Sequence, residues 1–143
     1  MQCQVWEIFT PNFSRKLSRP LMSSHVPAGF PSPAADYIEG SIDLNIDLIK
    51  HRLTTFYIRV IGDSMESLIH SGDLLIVDRM PETNDKDIVV ARIGNDLCVK
   101  RLRIFNNGTV WLYSENINYK SIQINAEDDF EIWGKVIHSI QSF

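Results

Sequence analysis

Gly62-Asp63-Ser64-Met65 sets a serine where an apolar run, Phe56 to Ile61, gives way to polar residues. The run reads as a strand that stops at Gly62. Asp63, with Glu66 three residues on, has the spacing of a capping box, so a short helix is predicted to start there. A hydroxyl at the first turn of a helix lies beside backbone N–H groups that lack a partner inside the helix. Such donors would stabilise an oxyanion formed on an attacked carbonyl. Ser64 is therefore a candidate nucleophile. Gly-Asp-Ser is equally the chemistry of an ordinary turn and cap, and no His and Asp stand at a recognisable spacing to complete a triad.

Lys100 offers a different base. In the run Leu97 to Ile104, Leu97, Val99, Arg101 and Arg103 fall on one face of a strand, and Cys98, Lys100, Leu102 and Ile104 on the other. A lysine among apolar neighbours loses hydration, which lowers its pKa by up to roughly 3–5 units at full burial. A neutral amine can take the proton of a serine hydroxyl, so a Ser-Lys pair is a working variant of the serine triad. The alternative is that Lys100 snorkels its ammonium to the edge of the sheet, and the strand pattern leaves both open.

Two such groups need a scaffold, and the chain around them reads as strands joined by tight turns. His70-Ser71-Gly72-Asp73 is a turn before a buried strand, Leu74 to Asp78. A polar loop, Arg79 to Asp87, leads to Ile88–Ile93, the turn Gly94-Asn95-Asp96 and the returning strand Leu97–Ile104. Asn106-Asn107-Gly108 turns the chain into Val110–Tyr113, and Ser121–Ile124 and Glu131–Ile140 close it. With almost no long helix, a mostly antiparallel β fold is expected. The 143 residues, 44% hydrophobic, suffice for one domain with a core plus an arm. The net charge of -4 argues against a general affinity for nucleic-acid backbone. No apolar run is long enough to span a bilayer. Cys3 and Cys98 make no disulfide framework, so a reduced, cytoplasmic protein is expected, with no metal or cofactor.

Residues 1–28 read as an arm and 29–143 as the core. Gln2 to Phe13 holds Trp6, Ile8 and Phe9 without a sustained period, and Ser14 to Pro20 is basic and polar. No pair of amphipathic helices forms a helix-turn-helix. In Val26-Pro27-Ala28-Gly29-Phe30-Pro31-Ser32-Pro33 the prolines hold the backbone extended, with Val26 and Ala28 on one side. Small residues at alternate positions before a glycine suit a narrow peptidase cleft, and the same composition suits a linker. Ala34–Glu39 reads as a helical turn, and Ser41–Ile49 fits either a strand or, from Asn45, a short helix.

Gly29-Phe30-Pro31-Ser32-Pro33-Ala34-Ala35-Asp36-Tyr37 resembles the opening of the UmuD family core. Gly62-Asp63-Ser64-Met65, Ser71 to Asp78, Gly94-Asn95-Asp96-Leu97-Cys98-Val99-Lys100 and Gly134-Lys135-Val136-Ile137-His138 continue the resemblance in order. It runs from about Gly29 to His138 and does not extend to residues 1–24. UmuD-like proteins stand with the LexA-type self-cleaving peptidases. The resemblance implies a curved antiparallel β catalytic core with a mobile N-terminal arm, and a homodimer. It makes Ser64 the nucleophile, Lys100 the general base and Ala28–Gly29 the cleaved bond.

On this reading the backbone N–H groups of Asp63 and Ser64 are the oxyanion candidates. The resemblance also implies partners: a RecA filament on single-stranded DNA that promotes cleavage, and a UmuC-like Y-family polymerase that the trimmed dimer serves in SOS mutagenesis. Neither a membrane nor sequence-specific DNA is expected as a partner. The alternatives are a LexA-type transcriptional regulator, a peptidase that processes other chains, and a non-catalytic polymerase accessory.

Overall fold

The computed structural model describes residues 2–22 and 38–143. Two compact units emerge, one of residues 1–10 and 51–143, the other of residues 11–50.

The larger unit is a single antiparallel sheet. Its strands are β1 (Gln4–Phe9), β4 (Thr55–Ile61), β5 (Leu74–Asp78), β6 (Ile88–Ile93), β7 (Asp96–Ile104), β8 (Val110–Tyr113), β9 (Ile122–Ile124) and β10 (Phe130–Ile140). They lie in the order β1-β4-β5-β10-β6-β7-β8-β9, and Gln4 of β1 also pairs with Cys98 of β7. That last pairing closes six strands into a barrel-like core and leaves β8 and β9 as an extension. The expected mostly β, antiparallel architecture is what is found.

Alternation explains the strands. In β4, Ile58 and Val60 point inward and are at most 1% exposed, with Thr55 buried at its start. Ile58, Val60, Met65, Leu75, Val77, Val90 and Val99 pack as one cluster, and Val89, Ala91, Cys98, Leu102 and Leu112 as a second on the opposite face of β6 and β7. The two cysteines are free and belong to different clusters. The long β10 pairs with β6 through its first half and β5 through its second, with irregularities at Ile132/Gly134 and Val136/His138. At Gly134 the neighbouring strand comes so close that a Cβ would sit 2.7 Å from Val77 Cγ1.

Three local expectations come out differently. Gln4–Phe9, for which the sequence shows no period, is a strand, paired with β4 from Gln4↔Ile61 to Phe9↔Tyr57. Its residues are mostly exposed, so burial writes no alternation into them. The segment after Gly62 is a succession of turns, not a helix. Asp63 spends its carboxylate on the Tyr119 hydroxyl, and Glu66 spends its own on His70, so no reciprocal capping box forms. Finally, Ile38 and Glu39 lie in an extended strand, not a helical turn.

In the smaller unit, β2 (Arg19–Met22) pairs with β3 (Ile38–Ile42), and the short helix α1 (Leu44–Asp47) follows. Asp43 caps it, its carboxylate accepting from Asn45 N–H at 3.1 Å and Leu17 N–H at 3.0 Å. The ambiguous stretch 41–49 is thus strand first and helix second.

Candidate active site

Ser64 stands three residues beyond the end of β4. Gly62 makes the exit, with φ of 109° that a side chain would strain, and its N–H donates to Ser71 Oγ at 3.1 Å. Met65 and Ile69, each at most 1% exposed, root the following turns in the core. Ser64 is fully buried. A second segment, Ser114 to Tyr119, braces this turn from outside. Asn116 N–H donates to the Ser64 carbonyl at 3.0 Å, and Asn116 Nδ2 to the Asp63 carbonyl at 3.1 Å. The Tyr119 hydroxyl donates to Asp63 Oδ1, a bond that holds the Asp63 carboxyl below the usual carboxylate range. Glu115 is tied to Arg101 of β7, which keeps the bracing segment against that strand.

Lys100 sits in the middle of β7, opposite Val89 of β6, and is 1% exposed. The snorkelling alternative is therefore not taken. Its Nζ donates to Ser114 Oγ at 2.6 Å and to Gln2 Oε1, and lies 5.9 Å from the centre of the Tyr119 ring. Burial pushes the ammonium down from the ordinary lysine value, while the Cys98 and Cys3 thiols oppose the shift. Both thiols are themselves pushed up by burial, Cys3 to about 12, so near neutrality they carry no charge and desolvation prevails.

Ser64 and Lys100 converge on one stretch of backbone. Cys3 N–H donates to Ser64 Oγ at 2.6 Å, and the side chain of the preceding residue, Gln2, accepts from Lys100. Cys3 C=O accepts from Val99 N–H at 2.9 Å, so this stretch lies as a strand against β7. Among the described residues, no hydrogen bond joins Ser64 directly to Lys100. Beside the amine is a cavity of about 180 Å³ walled in part by Ile93, Cys98 and Ile122. Asp63 and Ser64 lie together on the turn, whereas Ala28 and Gly29 fall outside the described residues.

Sequence reasoning missed Gln2, Cys3, Ser114, Asn116 and Tyr119. For Ser114 a signal existed. The Asn106-Asn107-Gly108 turn sets the register Ile104↔Val110 through Arg101↔Tyr113, and one further step puts residue 114 opposite residue 100. Gln2 and Cys3 carried no such signal, because their pairing spans most of the chain.

Among the described residues no group of His, Cys, Asp and Glu could hold a metal ion, and no helix is long and apolar enough to cross a membrane.

The sequence matches the Peptidase S24-like family over residues 20–137. It is 38% identical to protein MucA of Escherichia coli over 129 residues, 89% of this chain and 87% of MucA. It is 37% identical to protein ImpA of Salmonella typhimurium over 123 residues, 85% of this chain and 83% of ImpA. Protein SamA of Salmonella typhimurium strain LT2 is 48% identical over 86 residues, 59% of this chain, and the matched part spans only 61% of SamA. A match of this extent, with likeness to ImpA and MucA over more than four-fifths of each, identifies this UmuD-like chain as a member of the Peptidase S24-like family.

Proposed function

We propose that this chain is a self-cleaving serine peptidase that cuts its own Ala28–Gly29 bond, and that its trimmed form is an accessory of error-prone synthesis across damaged DNA. The observation that carries the reading is a lysine 1% exposed, with its pKa lowered by burial, bound to the same two-residue stretch as a buried serine hydroxyl. Elsewhere, burying a lysine so completely would be a cost with no return.

The Ala28 segment enters the cleft as an extended strand. Neutral Lys100 takes the Ser64 proton as Oγ attacks the Ala28 carbonyl carbon. The oxyanion faces backbone N–H groups of the Asp63–Ser64 turn. The carbon–nitrogen bond then breaks, and the Lys100 ammonium gives its proton to the Gly29 nitrogen. Lys100 next takes a proton from water, hydroxide attacks the ester, and Ser64 leaves with the proton returned. Ile93, Cys98 and Ile122 beside Lys100 offer an apolar wall to a small side chain such as Val26 or Ala28.

By the UmuD resemblance, the protein works as a cytoplasmic homodimer. A RecA filament on single-stranded DNA promotes the cut, and a UmuC-like polymerase receives the product. ImpA and MucA as relatives support this placing. Intact mass after incubation in increasingly alkaline buffer tests the peptidase reading. A single cut after Ala28 is expected, abolished by Ser64→Ala and by Lys100→Ala. Either variant cutting at a near-normal rate would overturn it.

A further inference from the structure

In the described structure the catalytic pair is occupied. Cys3 N–H points a donor at the lone pair with which Ser64 would attack, at 2.6 Å. Gln2 Oε1 takes a hydrogen of the Lys100 amine. Gln4 pairs with Cys98 and with Ile61, so this stretch is stitched between β7 and β4. The Cys3 side chain is fully buried in the core cluster with Met65 and Val99, which anchors the stretch from below.

A substrate must bring its carbonyl carbon to about 3–3.5 Å from the nucleophile. An extended segment approaching Ser64 beside β7 would need the backbone positions that Cys3 now fills, including the Val99 N–H. Two strands cannot share that slot. The resident strand is also held unproductively. It presents an amide hydrogen, not a carbonyl carbon, to Ser64 Oγ, and its glutamine fastens the strand to the Lys100 amine.

We infer that residues 2–4 are a resident peptide ligand of the catalytic slot, an intrachain plug that the segment to be cut must displace. The inference rests on the self-cleavage reading for the identity of the displacing segment but not for the occupancy itself. The ligand class is an extended peptide, and the glutamine at position 2 is its polar anchor.

Gln2 is the position to vary, because its backbone can keep the strand while its side chain alters the anchor. Gln2→Leu removes the acceptor from Lys100. Gln2→Glu replaces it with a carboxylate that pairs with the ammonium and holds the plug more tightly. The full chain in these two forms and the wild type, each with a Ser64→Ala control, is treated with a fluorophosphonate that reacts with activated serines. Labelling of Ser64 and cutting after Ala28 are both followed by mass.

Gln2→Leu should label about fivefold faster than wild type, the loss of one hydrogen bond between neutral groups, and Gln2→Glu more slowly. Opposite signs from two substitutions at one site would not come from a merely structural role. Alkylation of Cys3 by iodoacetamide should rise with labelling in Gln2→Leu.

The plug is overturned if both variants label at the wild-type rate, if Gln2→Leu labels more slowly, or if none of the three forms labels at all. It is also overturned if Met1-Gln2 is lost in a Ser64-dependent way, which would make the strand a substrate. Faster labelling of Gln2→Leu without a cut after Ala28 would uphold the plug and sink the self-cleavage reading. A cut at unchanged labelling rates would do the reverse.

Discussion

Replacing Ser114 with alanine probes whether the Lys100 amine acts as the base. Ser114 Oγ accepts from Nζ at 2.6 Å, at a lysine only 1% exposed. In the proposed mechanism the hydroxyl faces an amine before the reaction and an ammonium once Lys100 has taken the serine proton. A neutral hydrogen bond contributes about 1 kcal/mol net, and one to a charged group about 1.5–3 kcal/mol. Only the gain between the two lowers the barrier. Taken as about 1 kcal/mol, it is worth about fivefold in rate.

The same substitution removes an acceptor that favours the charged lysine, so the amine's titration moves further below the ordinary lysine value. A base must be unprotonated to act, so unassisted cleavage rises with pH through that titration. In Ser114→Ala the rising limb should therefore move to lower pH while the plateau falls about fivefold. Ser114→Thr keeps the hydroxyl and should follow the wild type. Intact-mass time courses from neutral to alkaline buffer, with melting curves as a control on folding, read both effects. A Ser114→Ala plateau equal to the wild type, with an unmoved limb and unchanged melting, would refute the assignment of Lys100 as base.

Two further substitutions test the scaffold. Gly134→Ala puts a methyl 2.7 Å from Val77 Cγ1 and 3.3 Å from the Asp78 carbonyl. Backbone cannot yield as a side chain does, so a loss of about 1–3 kcal/mol in urea unfolding is expected. Asp78, 1% exposed, accepts from Thr54 Oγ1 at 2.8 Å and Met80 N–H at 3.0 Å, and is paired with His51. Burial pushes this carboxyl up, but those hydrogen bonds together outweigh it and hold it below the ordinary aspartate value. A depressed folded-state pKa gives stability that is present above the unfolded value and lost as pH falls through the folded one. Asp78→Ala should cost about 2–4 kcal/mol at neutral pH, and its deficit should narrow in acid. A deficit constant with pH would mean that the carboxylate charge plays no part.

The parts of this fold that could be read from the sequence are those that burial makes apolar. β4 buries alternate residues, and β5, β6 and β7 carry continuous buried runs. β10 packs Trp133 and Val136 against the first cluster and Phe130 and Ile132 against the second, and the turns at Gly72, Gly94 and Gly108 take the positive φ that glycine permits. The apolar flanks of Lys100 were legible for the same reason. β1 was not, because Trp6, Ile8 and Phe9 remain exposed and its role is to close the barrel against strands far along the chain. The helix expected at Asp63 failed for a related reason. Its capping carboxylate was drawn to Tyr119, a partner 56 residues away that local spacing does not reveal. The bracing segment Ser114–Tyr119 likewise depends on sheet register, which must be counted out from a turn.

Burial and occupancy together constrain how cleavage can be stimulated. Lys100 is already desolvated with the plug in place, so in the proposed mechanism the base needs no further priming. What that mechanism makes scarce is the form with residues 2–4 out and the Ala28 segment in. The observed rate is the intrinsic rate multiplied by the population of that form. A factor that binds the docked form selectively raises the rate up to the reciprocal of that population, without altering the amine. As long as the plugged form remains the resting form, cleavage stimulated by the proposed RecA filament should then keep the pH limb of the unassisted reaction and raise only its plateau. Gln2→Leu, having paid part of the displacement already, should be stimulated by a smaller factor than the wild type. A limb shifted by the filament, or equal stimulation of both forms, would mean that the stimulus acts on the lysine itself and not on what occupies the slot.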